Sequence, residues 1–353
     1  MNGTSHIRSV SEEAEMNWNS GFSALYELKK VDPVTFKDMG SFDFVSGTID
    51  RISSGLMESA DLTMTENPGE CWIRVYLNAK QETGGARIPL FTGLTSAPER
   101  VLNGHREQYT VECYSVLKPA DDILVARGFY APAGVDAGRL VEELLSVGPA
   151  AVVVDGEGPS LTEAIVAEDS MSRLDVAWLI LEAIGWRLRI EGDGTIHVCQ
   201  SASDISAVFD TDENDVIELD VTDQQDWFSV PNCIRVTSGN SCVEYKDDDT
   251  DSPVSTIARK KARGGNGEIW ANDTASAIGD NESLAEYAVR VLREKQSPAR
   301  TISYTRRYRP DVLVSDLVEL RLPSVKIDGK FRINSQAVTL GYGCRTAEEV
   351  TMV

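Results

Sequence analysis

The chain has 353 residues, 42% hydrophobic and 25% charged, with 34 Lys and Arg against 56 Asp and Glu for a formal net charge of −22. That length predicts two or three domains with real cores, and the acidic excess excludes a general nucleic-acid-binding surface, since phosphates are repelled from it. No stretch approaches the ~18 consecutive apolar residues of a membrane-spanning helix, and the polar N-terminus lacks the apolar core of a signal peptide. Residues 1–21 read as a loosely attached arm, rich in Ser, Glu and Asn with little to bury.

Residues 22–129 are predicted to be mostly strand. Alternating or β-rich runs recur at Phe22 to Leu28, Ser41 to Ile49, Cys71 to Leu77, Arg87 to Leu94 and Gln108 to Val116. Turn residues such as Asn67-Pro68-Gly69 and Asn103-Gly104 separate them, the pattern of a β-barrel or sandwich.

Residues 130–202 change character and predict a small α+β domain. Asp136 caps a helix with an apolar face at Leu140, Val141, Leu144 and Leu145, stopped near Gly148. A second helix opens with the capping pair Ser172 and Asp175. It is apolar almost all round, so burial on every face is expected, and Gly185 is placed to end it. Trp186, Leu188 and Ile190 then alternate with polar residues, Gly192-Asp193-Gly194 turns the chain, and Ile196 and Val198 return. The expected core of this domain is Leu174, Trp178, Leu181, Ile184 and Trp186.

Residues 203–226 hold nine acids and no Lys or Arg, which reads as a solvated acidic connector. Its isolated apolar residues Val216, Ile217 and Leu219 fit an edge strand guarded by charge. From 227 to 353 a second β domain is predicted, opened by a hairpin at Asn232–Tyr245 and carrying a helical insertion at about 247–299. Within the insertion, Asn281 caps an amphipathic helix over 281–296.

Chemistry is hard to find. His6, His105 and His197 are scattered, and the six cysteines form no C-x-x-C pair, so they read as free thiols with no zinc site. The run Asp247, Asp248, Asp249, Asp251 fails the EF-hand pattern, since its sixth position is Ser252 and its twelfth Ala258. Gly264-Gly265-Asn266-Gly267 lacks the following Lys-Ser/Thr of a phosphate loop. No cofactor site and no enzymatic activity are expected.

The order of segments nevertheless has a precedent. A strand-rich domain is followed by a helix–Gly–strand–Asp-Gly–strand unit at Ser170–Val198. A second strand-rich domain begins near Asn232-Cys233-Ile234-Arg235-Val236 and closes with Val314–Leu320 and Phe331–Leu340. The whole resembles the phage tail hub family: the baseplate hub proteins of tailed phages, the late-control protein D group and the hub part of VgrG. Where that family introduces the Leu317 strand with Gly-Asp, this chain has Ser315-Asp316.

The resemblance implies a mainly β fold with α+β insertions, in which two tube-type β-barrel domains accompany the small α+β domain. It implies a structural homotrimer of the virion, made in the host cytoplasm, with pseudo-sixfold symmetry. Such a ring adapts a sixfold tail tube or distal tail protein hexamer above to a threefold tip below, where a separate spike, fibre or lytic protein sits. DNA then passes through a channel without specific binding, and Asp247, Asp248, Asp249 and Asp251 are candidates to line it. The competing readings are a tail-associated cell-wall hydrolase near His105 or His197, and a receptor- or carbohydrate-binding module with exposed aromatics.

Overall fold

The computed structural model describes residues 16–82, 84–104, 106–200, 203–210, 220–225, 227–238, 241–274, 283–296 and 300–353. The expected roles of His6, His105, Asn281 and the Val216–Leu219 strand fall outside the described residues.

The chain opens with β1 (Ser23–Val31), β2 (Asp38–Phe42), β3 (Phe44–Ile52), β4 (Glu58–Met64), β5 (Trp72–Lys80), β6 (Gly85–Thr95), β7 (Glu99–Asn103) and β8 (Arg106–Ser115). The α+β segment follows as α1 (Lys118–Asp122), β9 (Tyr130–Ala131), α2 (Ala137–Leu145), β10 (Val152–Val154), β11 (Ile165–Val166), α3 (Arg173–Ile184), β12 (Trp186–Ile190) and β13 (Ile196–Gln200). Next come β14 (Ile205–Asp210), β15 (Thr222–Gln225), β16 (Cys233–Ser238), β17 (Ser241–Lys246), α4 (Thr256–Arg263), β18 (Trp270–Thr274) and α5 (Leu284–Gln296). The last strands are β19 (Arg300–Arg307), β20 (Leu317–Leu322), β21 (Ile327–Thr339) and β22 (Arg345–Met352).

These elements form two compact units. The first joins Met1–Val221 to Ser303–Thr351, and the second is Thr222–Ile302. The fold is mainly β with α+β insertions, as expected, but the two strand sets are not separate closed barrels. In the first unit one open sheet runs β22-β21-β3-β4-β8-β6-β5-β1-β2. The reason is the length of β21. Its first half, Ile327–Arg332, pairs with β20, and its second half, Ser335–Thr339, pairs with β3, so one strand serves both sets.

Within 227–353 the strands are divided between two sheets. β16, β17 and β18 leave the large sheet and form their own, ordered β17-β16-β18. Strand β16 is paired on both sides, antiparallel to β17 and parallel to β18, so it has no edge left for another strand. Its apolar side chains Ile234 and Val236 are covered by Ala288, Val291 and Leu292 of α5. The 247–268 stretch is ordered here and carries α4.

The acidic connector also holds an element that composition hid. β14 pairs in parallel with β20, from Ile205 against Leu317 to Asp210 against Arg321, and buries Ala207 and Phe209.

Two apolar cores organise the first unit. One lies within the large sheet around Leu28, Ile73, Leu90 and Phe91, and reaches Val338 of β21 and Leu340 and Cys344 of the turn between β21 and β22. The other packs α2 and α3 on β12 and β13, and extends to Trp72 and Val116 of the first strand set. Helix α3 has its full capping box: Ser172 Oγ accepts from Asp175 N at 3.0 Å and the Asp175 carboxylate accepts from Ser172 N at 2.8 Å. Gly185 ends it at φ 67°.

Candidate functional site

The residues singled out as a scaffold core divide by depth. Leu174, Leu181 and Trp186 are buried, whereas Trp178 and Ile184 are half-buried at the margin. Burial of α3 on every face is therefore corrected. The indole of Trp178 lies across the first strand set and donates to Gly55 O at 3.1 Å.

The hairpin after α3 is clamped at both ends. At its tip, Arg74 Nη2 donates to Asp193 O at 2.8 Å and Thr92 Oγ1 donates to Gly192 O at 2.8 Å. At its base, Arg187 Nη2 lies 3.1 Å and Arg189 Nη1 3.7 Å from Oδ1 of the buried Asp316. Oδ2 of Asp316 accepts from Leu313 N at 3.0 Å. The Arg and Asp residues thus tie the α+β segment to the turn before β20.

That turn contains a non-glycine left-handed residue, Ser315 at φ 71°, at the position where the resembled family has Gly. A left-handed conformation costs a residue with a Cβ roughly 1–2 kcal/mol, of which glycine's greater unfolded freedom gives back about 0.5–1 kcal/mol. Ser315→Gly is expected to raise stability by up to about 1 kcal/mol, seen as a higher urea midpoint. A lower midpoint would count against the strain.

Two Arg–Glu pairs are sealed in the same unit. Arg306 Nε and Nη2 donate to the two carboxylate oxygens of Glu348 at 3.0 and 2.5 Å, and both side chains are fully buried. Gln336 Nε2 adds a 2.7 Å bond to Glu348, and the Arg306 guanidinium lies 5.0 Å from the Phe209 ring centroid. Arg51 Nε donates to Glu58 Oε1 at 2.7 Å, and burial raises the Glu58 carboxyl above its ordinary range. A cavity of about 20 Å³ beside this second pair is bordered by Arg189, Ile190, Leu313 and Val314, where three segments meet. Arg51 Nη1 and Glu58 Oε2 are buried without a partner, and a space of this size accommodates one water.

The acidic run in the second unit is a loop organiser at its first residue. Asp247 is buried and accepts from Ser252 Oγ at 2.9 Å, Gln296 Nε2 at 2.8 Å and Asp249 N at 3.0 Å. Asp248 accepts from Thr256 Oγ1 of α4. Asp248, Asp249 and Asp251 are exposed. Arg259 of α4 is buried and donates to the carbonyls of Trp227, Phe228, Val230 and Val254 at 2.7–3.1 Å.

Among the described residues, no group of three His, Cys, Asp or Glu is arranged to hold a metal ion. His197 Nδ1 sits 3.1 and 3.2 Å from the two oxygens of Asp155 on a half-buried strand. Among the described residues no hydroxyl or thiol is hydrogen-bonded to its ring. The six cysteines are free, and burial pushes the Cys344 and Cys233 thiols up to about 11, where a thiol is a poor nucleophile at neutral pH. Among the described residues no helix is long and apolar enough to cross a membrane.

Solved phage tail proteins share this architecture. A tail protein from Neisseria meningitidis MC58 matches with a TM-score of 0.62 at 14% identity, over 93% of this chain and 96% of its own. The 43 kDa tail protein of prophage MuSo2 from Shewanella oneidensis gives 0.61 at 11% identity, over 93% and 97%. A chain of the half-lidded Francisella PdpA–VgrG complex gives 0.55 at 9% identity, over 94% of this chain and 58% of that one. No family model matches the sequence, and no curated protein matches it. The resemblance read from the order of segments is borne out at the level of the fold, which is that of phage tail proteins.

Proposed function

We propose that this protein is a structural hub of a phage tail tip or baseplate, located in the virion and without enzymatic activity of its own. Three copies form a ring in which each contributes two strand sets, giving pseudo-sixfold symmetry. The ring joins a sixfold tail tube or distal tail protein hexamer on one side to a threefold tip on the other, where a separate spike, fibre or lytic protein attaches. DNA passes through its centre without specific binding.

The observation that carries this reading is the likeness to phage tail proteins over 93% of the chain, spanning both strand sets and the segments between them. The open sheet supports it. Among the described residues β2 is paired on one side only, and Met39 of β2 and Leu25 of neighbouring β1 are 61% and 60% exposed. A free apolar edge of this kind calls for a protein partner. The net charge of −22 suits a channel wall that repels phosphate. Asp248, Asp249 and Asp251 remain the candidates to line it, and Asp247 anchors their loop.

Native mass measurement and particle imaging test the assembly directly. A trimer with a threefold view and an open centre is expected. A monomer in the assembled particle, or a closed centre, would overturn the reading. One observation favours a receptor-binding role instead: Trp227 and Phe228 are 43% and 74% exposed in the second unit. Loss of host adsorption on replacing both by Ala, with particles still assembled, would support that alternative.

A further inference from the structure

The second unit carries a groove of about 670 Å³ along the edge of its sheet. One wall is β17, through Val243, Glu244 and Tyr245, and the other is α5, through Ala285, Val289 and Arg293. β17 is an end strand, paired with β16 on one side, and among the described residues no strand pairs with its other side. Along such an edge alternate residues turn their N–H and C=O groups outward, a ready ladder for an incoming extended chain. Ala285, Val289 and Arg293 follow one another at four-residue spacing on one face of the helix. A strand laid on β17 would therefore point every second side chain at an apolar wall.

The charges narrow the occupant further. Glu244 lies 2.7 Å from Arg235. Glu286, also at the groove, accepts from the Ser283 backbone N–H at 2.9 Å and its hydroxyl at 2.7 Å. Both acids are engaged within the chain, while the exposed Arg293 sets a cation on the wall of a protein whose net charge is −22. A carboxylate is its natural complement. A helical occupant would leave the outward N–H and C=O groups of β17 unpaired beneath it, a cost an added strand avoids.

We propose that this groove docks an extended segment of another protein. The segment adds as a strand to β17, places apolar residues at alternate positions against Ala285 and Val289, and sets an acidic side chain on Arg293.

The purified full-length protein, panned against a library of random short linear peptides, tests this. Enriched peptides are expected to carry apolar residues at every second position with an Asp or Glu beside them. Ala285→Arg, which fills the groove, and Arg293→Glu, which reverses its charge, should each weaken an enriched peptide about tenfold. Replacing the peptide's acid by Lys should restore binding to Arg293→Glu. Both positions are exposed, so the melting temperatures should match the parent protein. Enrichment no better than on Ala285→Arg, apolar residues at helical spacing, or indifference to Arg293→Glu would each overturn the proposal. So would a change of mass in solution caused by Ala285→Arg alone, which would make the groove an interface between copies of this chain.

Discussion

Replacing Gly192 by alanine is expected to destabilise the first unit by about 3 kcal/mol, the upper end of what overpacking does to a filled core. A Cβ at this position would stand 1.9 Å from the carbonyl oxygen of Pro89 and 2.5 Å from its carbonyl carbon. Those atoms are backbone of β6, where Pro89 pairs with Tyr76 of β5, so moving them disturbs the sheet. The hairpin tip cannot step back, because Thr92 and Arg74 hold its carbonyls. Gly40→Ala is the control. Its Cβ would meet only Lys30 Cβ at 3.9 Å, so a change within about 0.5 kcal/mol is expected there. Urea unfolding of the two variants decides the matter. Equal midpoints would show that the tip is not seated against β6.

Glu348→Ala is expected to cost about 3–5 kcal/mol, because it leaves the fully buried Arg306 as an uncompensated charge. The double change Arg306→Met with Glu348→Leu should be far milder, since the desolvation penalty leaves with the charges. A double-mutant cycle on unfolding free energies separates the two cases. A single-variant loss under about 1 kcal/mol would mean that water reaches the pair.

That ion pair also shows what a closer reading of the sequence offers. In β19, Arg306 falls in phase with the buried Ile302 and Tyr304, and in β22 Glu348 falls in phase with Thr346 and Val350. Strand parity therefore placed both charges on the inward faces, although their type argued for solvent. Local signals were the most legible. The α3 capping box, the Gly185 stop and the β12–β13 hairpin each depend on residues a few positions apart. The mainly β class and the tail-hub order of segments were legible for the same reason, since each segment declares its own period.

Pairings between distant segments were not legible. β14 looks like connector because it opens an acid-rich stretch, and its partner β20 lies about a hundred residues away. The parallel pairing of β16 with β18 was hidden because a hairpin's sequence does not say which neighbour its other edge will find. For the docking groove, the apolar alternation of Val243 and Tyr245 was visible, but the vacancy beside them depends on how α5 lies on the sheet.

The division of β21 between two strand sets bears on how the chain is made. During synthesis β3 leaves the ribosome early, and the half of β21 that pairs with it, Ser335–Thr339, comes close to last. At 5–20 residues per second the interval is roughly 15–60 s. Through that time one edge of β3 waits without its strand. The second unit's own sheet, β17-β16-β18, pairs only segments within Cys233–Thr274 and can be complete before the first unit that surrounds it in sequence. The nascent protein therefore needs shielding of the β3 edge, by a chaperone or by the ribosome surface, until its final strands arrive.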